Sequence, residues 1–274
     1  MGECNLMKYL ACDLDGTLLK KDHTISKENL EAIVRFKEAG NKFIISTGRN
    51  LDSIYDLFKD YPEIEYDYIV ACNGAIILDK NKKIISSNYI KSNIAEGVFN
   101  DFIGEKDICI HFEADGEHYL VEPKEIECTS SSSQDINEVL FHFKNRISVE
   151  DLFSKERKYS FISIFSTKKD IEVAEKAKDS LIENYGHGLE AFRNQYFVDI
   201  APKDCSKGNG LRKILELDNV DVDNLYAIGD SFNDVSMFNL TKNSFTFHNV
   251  EEELKTIANN YVSSVGECIK SIME

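Results

Sequence analysis

The sequence predicts an α/β protein, a parallel-sheet core interrupted by an inserted α+β domain. Three observations predict it. Short apolar runs alternate with helical periods over residues 9–71. The same alternation returns from Leu211 onward. The stretch between them carries hairpin-type alternation instead. With 274 residues the chain has room for two domains of moderate size, expected at 1–82 with 199–274 and at 83–198.

The first run, Tyr9-Leu10-Ala11-Cys12, reads as a buried strand that ends at Asp13. A helix follows, with Ser26 as its N-cap, Leu30, Ile33 and Val34 at helical spacing, and Gly40 as its stop. Lys42–Ser46 is a second strand, closed by Thr47-Gly48-Arg49. Leu51, Ile54, Tyr55 and Phe58 share one helical face, and Tyr68–Ala71 is a third strand ending at Asn73-Gly74. Strand–helix repetition of this kind requires right-handed crossovers and a parallel sheet.

In the middle region, Ile108–Phe112 and His118–Val121 flank Gly116 as a hairpin, and Thr129–Ser133 is a polar loop. A strand at Ser160–Phe165, a helix at Ile171–Tyr185 and a strand at Tyr196–Val198 complete the insert. Beyond it come a helix at Leu211–Leu217, a strand at Leu225–Gly229, a helix at Asp234–Leu240 and a strand at Ser244–Phe247. The chain closes on a helix.

Composition narrows the function. There are 32 basic and 48 acidic residues, a formal net charge of −16, and no dense Lys/Arg stretch. Such a chain repels nucleic-acid backbones and anionic membranes, so neither is an expected partner. An anionic substrate would need local positive charge from a metal, a lysine or an arginine. The seven cysteines are irregularly spaced without a CxxC pair, which argues against a disulfide scaffold. The six histidines show no zinc-ligand spacing. Met1–Lys8 lacks the apolar core of a signal peptide, and no apolar run approaches the ~20 residues that span a bilayer. The expected location is the cytoplasm, and the expected state is a monomer or weak homo-oligomer.

Four strings carry chemistry. Asp13-Leu14-Asp15-Gly16-Thr17-Leu18-Leu19 sets two carboxylates two residues apart just past a strand, where alternation turns them to one side and Gly16 permits a sharp turn. Ligands bind beyond the carboxyl ends of parallel strands, where this string lies. A crowded acidic pair calls for a neutralising cation. A bare DxDG is often only a solvated turn; the longer string favours a site. Thr47, Gly48 and Arg49 offer a hydroxyl and backbone N–H groups that suit a phosphate oxygen, although Thr47 alone would serve equally as a helix N-cap. Lys207, in Ser206-Lys207-Gly208, can bind phosphate as a point charge or be merely a solvated lysine in a first helical turn. Gly229-Asp230-Ser231-Phe232-Asn233-Asp234 brings two more acids to the edge of another strand, and hard oxygen donors of this kind fit Mg²⁺ rather than zinc.

Taken in order, these four strings resemble the four motifs of the haloacid dehalogenase superfamily of phosphatases. Asn73-Gly74-Ala75 and the large insertion after it resemble the Cof-like branch with a type IIB cap. The match at the C-terminal end is partial, with Asn249-Val250 and Gly266 where the branch usually has an Asn-Ala pair and a later Gly. The resemblance implies a Rossmann-like core and an inserted cap that selects a small phosphorylated metabolite, usually a sugar phosphate, with phosphorylated cofactors as further candidates. It implies that Asp13 is the nucleophile and Asp15 the general acid and base. It places Mg²⁺ on Asp13, the backbone carbonyl of Asp15 and Asp230, with Asp234 as a ligand or supporting partner. Thr47, Gly48, Lys207 and Asn233 would bind phosphate, and Asn73 and Arg49 are candidate substrate-lining residues.

Rival readings are a signalling receiver domain, a phosphomutase or phosphotransferase of the same superfamily, and a non-catalytic metal-binding protein on this fold. A receiver domain is shorter and splits its acidic pair and its phosphoacceptor between strands. Release of inorganic phosphate separates all three from a phosphatase.

Overall fold

The computed structural model describes residues 7–105, 107–121 and 149–274. Cys4, Cys128, His142, the polar loop expected at Thr129–Ser133 and most of the Met1–Lys8 segment lie outside the described residues. The chain forms two compact units, Met1–Ser87 with Ser206–Glu274 and Asn88–Cys205.

The first unit is built on an eight-stranded sheet. Its strands are β1 (Tyr9–Cys12), β2 (Lys42–Ser46), β3 (Tyr68–Ala71), β4 (Ile76–Asp79), β5 (Ile84–Ser87), β11 (Leu225–Ile228), β12 (Asn243–Phe247) and β13 (Asn260–Val262). The order is β13-β12-β11-β1-β2-β3-β4-β5, parallel from β13 to β3 and antiparallel at β4 and β5. From β1 the chain winds one way through β2 and β3, and from β11 the other way through β12 and β13. The topological switch therefore lies between β1 and β11, where open α/β sheets bind ligands. The parallel pattern matches the sequence expectation of a Rossmann-like core. Strand β1 is buried along its whole length, as its unbroken apolar run requires.

Two helical layers cover the sheet. On one face α6 (Lys207–Asp218), α7 (Val235–Phe238) and the short α8 (Glu252–Lys255) join Tyr9, Ala11, Ile44, Val70 and Ala227 in one apolar core. The helices α1 (Lys27–Glu38) and α9 (Val265–Met273) pack against each other. Ser26 caps α1 by accepting from the Asn29 amide, as its position predicts. The next helix, α2 (Leu51–Phe58), is capped by Asn50 rather than Thr47, because Asn50 is the residue in reach of the Ser53 amide, at 2.8 Å. At the end of the sheet opposite the switch point, Asp218 accepts from the hydroxyls of Tyr9 and Tyr68 and from Lys42 Nζ, tying α6 to three strands.

The second unit has a five-stranded sheet of order β7-β6-β8-β10-β9. Its strands are β6 (Ile108–Ala114), β7 (Glu117–Val121), β8 (Tyr159–Ser166), β9 (Leu189–Asn194) and β10 (Phe197–Pro202). The β6–β7 hairpin turns on Asp115 and Gly116, both at positive φ (56° and 82°), as a two-residue primed turn requires. Helices α3 (Ser92–Phe102) and α5 (Ile171–Tyr185) flank this sheet; α4 (Val149–Phe153) is short. The apolar core gathers Ile110, Phe112, Ile162, Ile164, Val198 and Ile200 on one sheet face.

The boundaries differ from those read in the sequence. Ile84–Ser87 pairs with β4 and stays with the first sheet. Asp199–Pro202 continues β10 against β9 and stays with the second. Hydrogen-bonded pairing decides both ends, and a change of pattern in the sequence does not record it.

Ser46 Oγ, at the end of β2, is buried without a hydrogen-bond partner among the described residues. An unsatisfied buried hydroxyl is a net cost to folding. Ser46→Ala is therefore expected to raise stability by up to about 1 kcal/mol. Chemical denaturation reads this, and a loss of similar size would mean that the hydroxyl has a bonding role in solution.

Candidate active site

The strand ends at the switch point gather the residues singled out in the sequence. Asp13 follows β1, its amide bonded to the Ile228 carbonyl at the end of β11. Amides of Thr17, Leu18 and Leu19 then fold back on the carbonyls of Leu14, Asp13 and Leu14. Gly16 makes this turn possible. It sits at φ +82°, and a Cβ there would lie 2.2 Å from Asp230 Oδ2. The loop after β1 thus comes close enough to the loop after β11 to place their acids together. One carboxylate oxygen from each of Asp13, Asp230 and Asp234 lies within 4.8 Å of the others.

Lys207 stands among these acids. It is the first residue of α6 and is fully buried, not solvated as a first-turn lysine usually is. Its Nζ donates to Asp13 Oδ1 at 2.7 Å and to Asp234 Oδ1 at 2.6 Å. Gly208 allows the close approach, since a Cβ there would meet the Ser236 carbonyl oxygen at 2.1 Å. The other oxygen of Asp234 accepts from the amides of Asp230 and Ser231, at 2.9 and 3.0 Å. Asp234 therefore fixes both the lysine and the loop that carries Asp230.

The charges do not balance locally. Burial pushes the Asp13 carboxyl well above the usual range against the pull of Lys207, and Asp234, Asp230 and Asp15 add to the rise. Asp230 is pushed up to about 7 by burial and by Asp234, with the Thr17 hydroxyl and Lys207 opposing. Lys207 keeps its charge: burial works against it, but the two carboxylates outweigh that and raise its pKa. Breaking such a buried pair from the cationic side costs roughly 3–5 kcal/mol, because a charge is left uncompensated. Lys207→Met is expected to lose about that much stability without added metal, as read by urea denaturation. A loss below about 1 kcal/mol would show that the acids are screened by other means.

Thr47 and Asn73 reach the same sheet edge from β2 and β3. Thr47 is buried, its amide bonded to the Val70 carbonyl, and its Oγ1 accepts from the Arg49 amide at 3.1 Å. Cys72, Asn73 and Gly74 run consecutively at positive φ (50°, 49° and 92°), a conformation that costs about 1–3 kcal/mol per non-glycine residue. Bonds from the amides of Cys72 to the Arg49 carbonyl and of Asn73 to the Thr47 carbonyl hold it there. The consequence is a buried Asn73 whose Oδ1 accepts from Asn233 Nδ2 at 3.3 Å. Gly48 lies in the turn between Thr47 and Arg49.

Asp15 stands apart from the acidic trio. Its side chain is 45% exposed, and Arg49 grips both its oxygens, Nε at 2.7 Å and Nη2 at 2.6 Å. The sequence marks Arg49 as a candidate substrate-lining residue and gives no sign of this fork. It gives no sign either of Thr17, whose hydroxyl donates to Asp230 Oδ1 at 2.9 Å, or of Ser231, whose hydroxyl donates to Asn233 Oδ1 at 2.6 Å. Both lie inside the motif strings, so the available signal was a short hydroxyl one residue from a turn glycine or a candidate ligand.

The chain is similar to known proteins over nearly its whole length. The model of a family described as haloacid dehalogenase-like hydrolase matches residues 10–268. A 5-amino-6-(5-phospho-D-ribitylamino)uracil phosphatase, YwtE, of Bacillus subtilis strain 168 is 30% identical over 268 residues, covering 91% of this chain and 90% of that protein. Among solved structures, a haloacid dehalogenase-like hydrolase from B. subtilis superposes with a TM-score of 0.80 at 22% identity, covering 97% of this chain and 98% of that one. The subclass IIB sugar phosphatase BT4131 superposes with a TM-score of 0.76 at 18% identity, again covering 97% and 98%. A parallel sheet with its acids at the switch point, an inserted α+β unit and a family match over nearly the whole length place the chain in the haloacid dehalogenase-like hydrolase family, among its Cof-like phosphatases.

Proposed function

We propose that the protein is a Mg²⁺-dependent phosphatase that hydrolyses a small phosphorylated metabolite through a phosphorylated Asp13. The observation that carries this reading is the convergence of Asp13, Asp230 and Asp234 around the buried Lys207. Two buried carboxyls, Asp13 and Asp234, and the half-buried Asp230 crowd around one lysine, an arrangement that a hard cation would relieve, and an all-oxygen donor set fits Mg²⁺. Asp13, the Asp15 backbone carbonyl and Asp230 would hold it. Asp234 has both oxygens engaged and serves to place Lys207 and Asp230. When bound, the ion would offset the repulsion between Asp13 and the phosphate and stabilise charge on the transferring group.

The side chains divide the work as follows. An oxygen of Asp13 attacks phosphorus, and the bond to the leaving alcohol breaks. Asp15 gives that alcohol oxygen its proton. Water then attacks the phosphorus, Asp15 takes a proton from it, and the bond to Asp13 breaks, releasing inorganic phosphate. Thr47 and Lys207 bind the phosphoryl oxygens, with Gly48 and Asn233 beside them, and Lys207 keeps the Asp13 side chain oriented. Most of the acceleration comes from positioning and electrostatics.

The inserted unit is assigned the substrate-selecting role of a cap. The substrate class is a phosphate ester of a sugar or polyol. It draws support from the relative named for a phosphoribityl substrate and from the likeness to a sugar phosphatase. The test is a panel of sugar phosphates, phosphoribityl compounds and pyridoxal phosphate, scored by kcat/KM for release of inorganic phosphate. Exhaustive chelation is expected to lower the rate by about a hundredfold or more, with recovery on Mg²⁺ but little on Ca²⁺, whose larger and looser shell disturbs in-line geometry. Full activity after chelation would show that the reaction needs no metal.

A further inference from the structure

We infer that Arg49 exchanges partners during substrate binding, passing from the Asp15 carboxylate to a phosphoryl oxygen. The inference rests on the assignment of Asp15 to the leaving group under the proposed function. Nε and Nη2 of Arg49 occupy both Asp15 oxygens, at 2.7 and 2.6 Å. A carboxyl that gives a proton to the leaving-group oxygen carries that proton on one of these two oxygens, where it takes the place of a guanidinium hydrogen bond. The fork is therefore a resting arrangement that the reaction opens.

Where the guanidinium goes follows from the charges around it. Lys207, assigned to the phosphoryl group, is fully buried and already has two of its three donors on Asp13 and Asp234, so it leaves much of the charge of a phosphate dianion uncompensated. The Arg49 side chain is 21% exposed, so an anion arriving from solvent can reach it. Its backbone is pinned at both ends: the amide donates to Thr47 Oγ1, and the carbonyl accepts from the Cys72 amide. Only the side chain is left to move, from an anchor two residues from the hydroxyl assigned to the phosphate. Nη1 also reaches Ser53 Oγ, at 3.3 Å, on the side away from Asp15.

Magnitudes favour the exchange. The Arg49–Asp15 fork is bidentate, but its acceptor is half exposed and carries a single charge. A phosphate dianion offers the guanidinium the same class of charge-assisted hydrogen bond with twice the charge. The phosphate can therefore take the arginine at small cost, and substrate arrival itself releases Asp15. Arg49 is thus a phosphate ligand in the complex and a positioning residue for Asp15 before it.

The test compares wild type, Arg49→Gln and Arg49→Lys, all as the full chain with Mg²⁺. It uses p-nitrophenyl phosphate as substrate and inorganic phosphate as inhibitor. Exchange predicts that Arg49→Gln raises KM and the phosphate inhibition constant together, roughly tenfold to a hundredfold, the scale of one hydrogen bond to a charged group. The kcat should stay within about threefold, because in the reacting complex the fork is already open. Arg49→Lys should recover part of the binding, as a point charge without the fork. A crystal structure with phosphate or orthovanadate should place the guanidinium on the oxyanion, with at least one of its hydrogen bonds to Asp15 broken. A fall in kcat with KM and the inhibition constant unchanged would overturn the exchange in favour of a permanent clamp, as would an intact fork in the oxyanion complex. If Asp15→Asn shows no dependence on the leaving group, the acid assignment fails by itself, and the inhibition constants still report on Arg49.

Discussion

Asp13→Asn is expected to abolish turnover, by on the order of 10⁴-fold or more, the scale seen when a nucleophile is removed, while the chain stays folded. The substitution is nearly isosteric, and burial already favours the neutral form of this carboxyl. The amide is a poor nucleophile and a weaker cation ligand, so both assigned roles of Asp13 are lost at once. The hydrogen bond from Lys207 to Asp13 then ends on a neutral acceptor, but Lys207 keeps Asp234 at 2.6 Å and is not left unpaired. Circular dichroism and the thermal midpoint report the fold, and phosphate release reports the chemistry. Wild-type-like release from a sequence-verified Asp13→Asn sample would remove Asp13 from the mechanism.

Asp15→Asn has the second largest expected effect, and it depends on the leaving group. General acid–base help is worth about 10²–10⁴-fold per step. A sugar alcohol leaves only if its oxygen is protonated, whereas an aryl phenolate leaves with little help. Turnover of a sugar phosphate should therefore fall by the full factor. Cleavage of an aryl phosphate should survive through its first step and then stop, because the second step needs Asp15 to activate water. The signature is a burst of phenol close to one per enzyme followed by a slow steady state. Equal slowing of both substrates without a burst would leave Asp15 a structural role only. Asp15 is half exposed and its carboxylate is held by the Arg49 fork, so this variant should lose little stability, up to about 1 kcal/mol.

The first sheet was legible because its strands are continuous apolar runs, each ending in a polar string. Tyr9–Cys12 and Tyr68–Ala71 appear as the runs predict, and the acids that follow β1 and β11 converge because both runs end at the same edge. The signals that failed were short or non-local. Strands β4, β5 and β13 hold only three, two and two apolar residues, against the unbroken four of β1 and β3, so no apolar run marks them. Leu189–Asn194 is hard to read as a strand although it alternates, because Glu190 and Arg193 dilute its apolar signal. Helix α6 begins at Lys207 and not at Leu211, because Ser206 caps it and the two glycines that thin the apolar pattern pack against neighbouring chain. The Arg49–Asp15 fork joins residues 34 positions apart, and no local pattern encodes that. The left-handed run Cys72–Gly74 was equally hidden: Gly74 signals a turn, but only the bonds to Arg49 and Thr47 oblige Cys72 and Asn73 to share its conformation.

If phosphate passes through Asp13, the phosphorylated enzyme can be trapped. Asp15→Asn enzyme with Mg²⁺ is mixed with p-nitrophenyl phosphate, quenched in acid within the burst, digested and analysed by mass spectrometry. One added phosphoryl group is expected on the peptide that carries Asp13, assigned to that residue by fragmentation and absent when Asp13 is also changed to Asn. A burst of phenol with no phosphorylated peptide, or with the phosphoryl group on any other residue, would contradict it.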